Sequence, residues 1–269
     1  MIPALTKTPA RRLATVGLVA LLFTGCAIPE VTPTPAPTPL ATVAPTTPPY
    51  TLGPTMSPSP KGCPIAATAS SSASSSPAAS ASASMSPPPA LTGTATVKMT
   101  TNFGDIVIKV DSKLGPHAAG AFVALARCGY YNNIIFHRVV PTFIIQAGDG
   151  IYGRMPNPTL THLLGTGGPG WTVPDDPITV PYTRGTIALA NTGKADSGSS
   201  QFFIVLSDAN ELAKQPVAYA IFGTVTKGMD VVDRISMVPT GGAPDTAAGG
   251  APSMPLEPVV ITSTIVTTP

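Results

Sequence analysis

The residues best suited to chemistry lie in one apolar run, residues 136–149, which reads FHRVVPTFIIQAGD. His137 and Arg138 stand near its start and Gln146 near its end, among residues typical of β-strands. Burying an arginine is unfavourable unless its charge is paired or acts on a ligand. The run therefore marks Arg138 and Gln146 as candidates for a polar site built on strands.

Two other patterns suggest chemistry that their context excludes. Residues 165–170, GTGGPG, match the dinucleotide pattern G-x-G-x-x-G, but that site needs a helix directly afterwards. The following WTVPDDP cannot start one, because its prolines interrupt helical hydrogen bonding. The three histidines show no metal-ligand spacing with each other or with the cysteines. We therefore expect no metal and no other cofactor.

The elements that must position Arg138 and Gln146 are mostly strands. Alternating apolar residues predict a hairpin around the turn at 102–105, and further apolar runs predict strands. Those runs span residues 134–140, 143–146, 186–191, 201–206, 218–225 and 259–266. Pro116 and Gly129 bound one helix, and a second covers residues 229–237. This order predicts a mainly β fold, a closed antiparallel barrel capped by two α-helices.

Residues 26–93 have a composition that cannot build a core. Between 27 and 93 the only charged residues are Glu30 and Lys61, and sixteen of the 33 prolines fall there. A Pro/Thr tract followed by a Ser/Ala tract predicts a disordered linker, or tether. The folded domain is then residues 94–269, long enough for one core. It has eleven Lys/Arg and twelve Asp/Glu without a basic patch, so nucleic acid is not an expected partner.

The N-terminus has the pattern of an export signal. Lys7, Arg11 and Arg12 precede the apolar run LATVGLVALLF, which is too short to span a bilayer by itself. FTGC, ending at Cys26, resembles the bacterial lipobox, in which the cysteine is lipidated. We expect residues 1–25 to be a signal peptide and the domain to lie outside the cytoplasm, anchored to the cell membrane as a lipoprotein. A plain secretory signal or an uncleaved anchor is the alternative.

Cys63 and Cys128 are the two remaining cysteines. An exported protein permits a disulfide between them. Closing so long a loop would stabilise the fold by at most about 4 kcal/mol in the chain-entropy description. Two unrelated cysteines, one in the tether and one at a helix end, are the alternative, and the sequence leaves both open.

Three segments of the domain resemble one family. FHRVVPTFIIQAGD is similar to the cyclophilin signature F-H-R-V-I-P-x-F-x-x-Q-x-G-D. GTIALANTGKADSGSSQFFIVL and AYAIFGTVTKGMDVVDRI resemble the family's second and third signatures, in the family's order, over roughly residues 95–267. The resemblance implies an eight-stranded antiparallel barrel with two capping helices. It also implies peptidyl-prolyl cis-trans isomerase activity without a cofactor, in a protein that is commonly a monomer.

The resemblance also assigns roles to residues. Arg138 aligns with the catalytic arginine, and Gln146 with a glutamine that orients it and touches the substrate. The implied proline pocket consists of Phe143, Ile144, Phe203 and Leu212, and the implied peptide groove of Ala190, Asn191, Gln201 and Tyr219. His137 is expected to be a buried, hydrogen-bonded structural residue. The family's loop tryptophan has no counterpart, so we expect weak inhibition by cyclosporin.

Three functions are compatible with this sequence. The first is an isomerase that helps unfolded exported proteins to fold, with proline-containing peptides as substrates. The second is a binding module that holds a proline segment in the same groove without needing turnover. The third is a spacer lipoprotein with an inert domain. The presence of both Arg138 and Gln146 favours the enzyme, since a pure binder has less need of them.

Overall fold

A computed structural model describes Cys63, residues 86–155 and residues 163–268. The predicted signal peptide, the lipidation site Cys26 and most of the predicted tether lie outside the described residues, as does His162. Within the described ranges, none of the helices has the length and apolar character that crossing a membrane requires.

The described part of the domain contains ten strands and two α-helices. In chain order they are β1 (Thr94–Thr101), β2 (Gly104–Asp111), α1 (Pro116–Arg127), β3 (Ile134–Val140), β4 (Ile144–Ala147), β5 (Thr186–Leu189), β6 (Phe202–Val205), β7 (Ile221–Lys227), α2 (Met229–Ser236), β8 (Thr240–Pro244), β9 (Pro252–Pro255) and β10 (Val260–Thr267). The predicted opening hairpin, both predicted helices and the apolar runs all occur at or within a few residues of their predicted positions.

Eight strands close into a barrel in the order β1-β10-β3-β4-β6-β5-β7-β2, with antiparallel pairing throughout. The predicted eight-stranded antiparallel barrel with two helices is therefore confirmed. Its register sets up the site, because Arg138 pairs with Gln146 across β3 and β4, and Gln146 pairs with Phe203 across β4 and β6. Three adjacent strands thus place these residues side by side.

Helix α1 packs on the barrel through Phe122, whose ring centroid lies 5.2 Å from that of Phe202 and 4.8 Å from that of Phe222. Its N-cap residue is Gly115, which has no side chain to bind the first free N–H groups. Asp176, from the long irregular segment before β5, accepts the Ala118 N–H instead, at 2.8 Å. A distant carboxylate therefore caps the helix and fastens that segment to it.

The sequence did not predict the β8–β9 hairpin. It covers residues 240–255, TGGAPDTAAGGAPSMP, with Thr240 opposite Pro255 and Gly241 opposite Met254. A short 3-10 helix, Thr246–Ala248, forms part of its turn. Glycine, proline and alanine dominate the segment, so it lacks the alternating apolar pattern that identifies a strand.

Part of the predicted tether packs on the domain. The Leu91 N–H donates to the Pro116 carbonyl at 2.8 Å, and a Cβ at Gly120 would lie 2.3 Å from the Pro89 carbonyl oxygen. The structure also joins Cys63 to Cys128 by a disulfide, with Cα atoms 5.2 Å apart. Cys128 is the C-cap residue of α1. The chain before β1 is therefore attached to both ends of this helix.

Candidate active site

A chain of hydrogen bonds runs along the surface of the barrel from Arg138. Its Nη1 donates to Gln146 Oε1 at 3.3 Å, and Gln146 Nε2 donates to Gln201 Oε1 at 3.1 Å. Gln201 Nε2 then donates to the carbonyl oxygens of Gly165 and Gly167, both at 2.9 Å. The backbone carbonyls can only accept, so they fix the orientation of both amides, which leaves an acceptor facing the guanidinium.

The loop that carries those carbonyls is organised by Asp149, which is fully buried. The Asp149 carboxylate accepts four backbone N–H groups, from Ile151, Tyr152, Gly165 and Gly167, at 2.8–3.0 Å. A Cβ at Gly167 would lie 2.1 Å from Asp149 Oδ1. Glycine in the run 165–170 therefore allows the backbone to approach the Asp149 carboxylate closely, where a side chain would collide with it. The sequence analysis did not predict this role of Asp149. The spacing of Gly165 and Gly167, both of which donate to its carboxylate, was the signal that could have indicated it.

Arg138 has a second partner that the sequence did not predict. Its Nε lies 2.5 Å from Asp245 Oδ2 and its Nη2 lies 3.1 Å from Asp245 Oδ1, so the ion pair is bidentate. The Arg138 side chain is 23% exposed and that of Asp245 is 13% exposed. Asp245 lies in the turn of the β8–β9 hairpin, 107 positions away in sequence. Because the sequence did not predict the β8–β9 hairpin, no pattern indicated that Asp245 would contact Arg138.

An apolar cluster distinct from the barrel core lies beside this polar chain. Phe143, Ile144, Phe203, Leu212 and Tyr219 all belong to it. The Phe203 and Tyr219 rings meet edge to face, with centroids 5.2 Å apart. Gln146 pairs with Phe203 across neighbouring strands, so the polar chain and the apolar cluster meet there. A site of this kind suits a ligand with one apolar ring and an adjacent polar bond.

The two implied groove residues that follow β5 lie at the edge of this cluster. Ala190 packs against it, and its N–H donates to the Gln201 carbonyl at 2.8 Å. The Asn191 side chain has partners in two loops, since Nδ2 donates to the Ala218 carbonyl before β7 and Oδ1 accepts the Gly193 N–H within its own loop. Because these hydrogen bonds engage both polar atoms of the Asn191 side chain, its backbone is the part that can contact a peptide.

His137 differs from the expectation. It is buried, but neither ring nitrogen has a hydrogen-bond partner among the described residues. The expected hydrogen bond is therefore absent there, although the buried position is as predicted. Burial lowers the pKa of His137 from 6.5 to about 4, the Asp149 charge opposes this, and the Arg138 charge adds to it. The imidazole is therefore neutral near pH 7.

We expect His137 to make the fold less stable in mild acid. Its pKa in the folded protein is about 4, below its ordinary 6.5, so the unfolded chain takes up the proton first as the pH falls. The free energy of unfolding should decrease by about 2 kcal/mol between pH 7 and pH 5 from this group. Urea denaturation of wild type and His137→Gln measures it. The decrease should be smaller in His137→Gln, and an equal decrease in wild type and His137→Gln would contradict the assignment.

In the described part of the chain, no group of three or more His, Cys, Asp or Glu side chains could hold a metal ion. The chemical groups at the site are a guanidinium with its paired Asp245 carboxylate, two amides and a cluster of apolar side chains, all on a closed barrel. This combination of fold and site defines the class of cyclophilin-like prolyl isomerases.

Comparison with known proteins agrees. Residues 96–266 match the family described as cyclophilin type peptidyl-prolyl cis-trans isomerase/CLD. The chain belongs to this family, and it is a peptidyl-prolyl cis-trans isomerase. A peptidyl-prolyl cis-trans isomerase of Acinetobacter baylyi is 37% identical over 169 residues, which cover 62% of this chain and 82% of the relative. Peptidyl-prolyl cis-trans isomerase B of Escherichia coli is 36% identical over 175 residues, covering 63% and 98%.

A crystal structure of a cyclophilin type isomerase from Cryptosporidium parvum superposes with a TM-score of 0.53 at 25% identity. It covers 65% of this chain and 99% of the crystallised chain. A second structure of that protein, with a TM-score of 0.52 and 26% identity, was determined in the presence of the dipeptide Ala-Pro.

Proposed function

We propose that Arg138 accelerates isomerisation by donating a hydrogen bond to the proline nitrogen of a twisted X-Pro amide. Resonance gives the planar amide its rotational barrier of about 18–20 kcal/mol. When the bond twists, that resonance is lost and the nitrogen regains a lone pair that can accept a hydrogen bond. A donor placed there binds the transition state better than the planar ground state, which is the requirement for catalysis.

The single observation that carries this proposal is the Arg138–Gln146–Gln201 chain lying beside the apolar cluster. The cluster suits the proline ring, and the guanidinium then lies at the side of the amide. One hydrogen bond to a charged group contributes about 1.5–3 kcal/mol. The part of the rate acceleration that this hydrogen bond does not supply must come from binding the peptide in a fixed orientation and from excluding water around the reacting amide.

The experiment that tests this function is an NMR exchange measurement on an X-Pro peptide with the purified protein. Faster cis-trans exchange at catalytic protein concentrations is the expected result. Peptide binding that leaves the exchange rate unchanged would instead indicate a binding module. Comparison with Arg138 variants then tests the mechanism.

We further propose that the protein acts outside the cytoplasm, held to the cell membrane through a lipid on Cys26, and assists the folding of exported proteins. The basic and apolar N-terminus and the FTGC sequence support export and lipidation. The Cys63–Cys128 disulfide also supports it, because such bonds persist in oxidising compartments. Uncatalysed X-Pro isomerisation takes tens to hundreds of seconds, so exported chains benefit from an isomerase.

Lipidation should be visible by labelling cells with radioactive palmitate. Wild type should incorporate the label and fractionate with membranes, and Cys26→Ser should do neither. Cys63→Ser is the matched control, since it removes a cysteine outside the lipobox and should leave labelling intact. Secretion of unlabelled wild-type protein into the medium would contradict the anchor and favour a plain secretory signal.

A further inference from the structure

Asp245 lies in a site that holds its carboxylate in one place. Oδ2 accepts from Arg138 Nε and from the Ser253 hydroxyl at 2.7 Å, and Oδ1 accepts from Arg138 Nη2. Ser253 is buried and lies on β9. Both carboxylate oxygens therefore have partners, and one partner comes from the opposite strand of the same hairpin.

The backbone around Asp245 is equally well bound. Its N–H donates to the Ala251 carbonyl at 3.1 Å, and its carbonyl accepts the N–H groups of Ala248 and Gly250 at 3.1 and 2.8 Å. Ala248 packs against the apolar cluster that also contains Phe203. Hydrogen bonds within the turn and the contact of Ala248 with the apolar cluster therefore fix the position of the turn. Asp245 consequently meets Arg138 from an ordered backbone.

The two partners of Arg138 bind different edges of its guanidinium. Asp245 binds the Nε and Nη2 edge, and Gln146 binds Nη1. A guanidinium has five N–H donors in one plane, so these three bonds leave two donors without a partner among the described residues. Gln146 lies on the side of the apolar cluster, and Asp245 approaches from the hairpin. The ion pair therefore orients the group and keeps donors for a ligand.

We infer that Asp245 is a positioning residue for the isomerase reaction: its bidentate ion pair holds the Arg138 guanidinium in the orientation that meets the twisted amide. This inference rests on the proposed role of Arg138. A free arginine side chain samples many rotamers, and the bidentate geometry removes most of that freedom before substrate arrives. Because orientation matters most in the transition state, its loss should lower kcat while KM changes little.

The test compares wild type with Asp245→Asn, which keeps the side-chain volume but sets an NH₂ group or a single acceptor against the Nε edge. We expect kcat to fall roughly fivefold to tenfold with KM within about twofold. Asp233→Asn is the control, because it alters another arginine–aspartate pair, in which Arg184 Nη2 donates to both Asp233 oxygens, and it should leave kcat unchanged. We expect the Arg138 Nε–H to exchange slowly in wild type, because it is bonded to Asp245, and to exchange faster in Asp245→Asn but not in Asp233→Asn.

Ser253→Ala provides a second, milder variant if Asp245→Asn fails to fold. It removes the hydroxyl that fixes Oδ2 and leaves the carboxylate in place, so we expect a fall in kcat of about twofold. Unchanged kcat in folded Asp245→Asn would overturn the inference. A rise in kcat/KM would also overturn it, because Asp245 would then compete with the substrate for Arg138.

The failure of this inference can be separated from failure of the proposed mechanism by combining variants. If Asp245 acts through Arg138, Asp245→Asn should have no further effect on kcat in an Arg138→Ala background. A low rate for Arg138→Ala with a normal rate for Asp245→Asn removes only the positioning role. A normal rate for Arg138→Ala removes the proposed mechanism itself.

Discussion

Arg138→Ala should lower kcat/KM for X-Pro isomerisation at least tenfold while the barrel stays folded. The variant removes the proposed donor to the twisted amide, and tenfold corresponds to about 1.4 kcal/mol, the low end for a hydrogen bond to a charged group. Gln146 loses its guanidinium partner but keeps its bond to Gln201. The apolar pocket is untouched, so peptide binding should weaken less than turnover.

The measurement is the NMR exchange rate at equal concentrations of folded protein. Removing the guanidinium takes away the ion pair of Asp245, although Ser253 still donates to its carboxylate, so Arg138→Ala/Asp245→Ala serves as a second variant without that carboxylate. Arg184→Ala, which removes an exposed arginine paired with Asp233, should retain wild-type activity. Arg138→Lys should remain impaired, because an ammonium lacks the planar fork. Wild-type activity in Arg138→Ala would contradict the mechanism.

Asp149→Ala should destabilise the fold by at least about 3 kcal/mol. Removing the carboxylate leaves four backbone N–H groups without an acceptor, and each buried orphan donor costs about 1–3 kcal/mol when water cannot replace the acceptor fully. Gly165 and Gly167 would also lose the anchor that aims their carbonyls at Gln201. We therefore expect lower activity in the molecules that remain folded.

Urea denaturation at pH 7 measures the loss of stability. Asp111→Ala is the matched control, because Asp111 accepts one exposed backbone N–H, from Lys113, and its removal should change stability by no more than about 0.5 kcal/mol. Equal effects of the two substitutions would show that the four bonds of Asp149 contribute nothing beyond those of a surface aspartate.

Much of the fold was predictable because its signals are local. Alternating apolar residues identify β1 and β2, and Pro116 and Gly129 mark the ends of α1, since each pattern depends only on near neighbours. The β8–β9 hairpin was missed because its strands, TGGAP and PSMP, are mostly small residues and proline and do not alternate apolar with polar residues. Local preference carries no information about such a segment.

The candidate site likewise has one part that local sequence patterns indicate and another that only the tertiary structure shows. Local patterns in the sequence predicted a closed antiparallel barrel, because each pattern depends on near neighbours. The resemblance of three segments to one family implied the eight strands, a Gln146 that orients Arg138, and the four apolar residues Phe143, Ile144, Phe203 and Leu212. In the structure Arg138 pairs with Gln146, and those four residues lie in one cluster. Only the tertiary structure decided that Asp245 meets Arg138 and that the buried His137 lacks a partner among the described residues. Such contacts join segments far apart in the chain, and nothing in the local order of residues records which distant group the closed barrel brings to a given side chain.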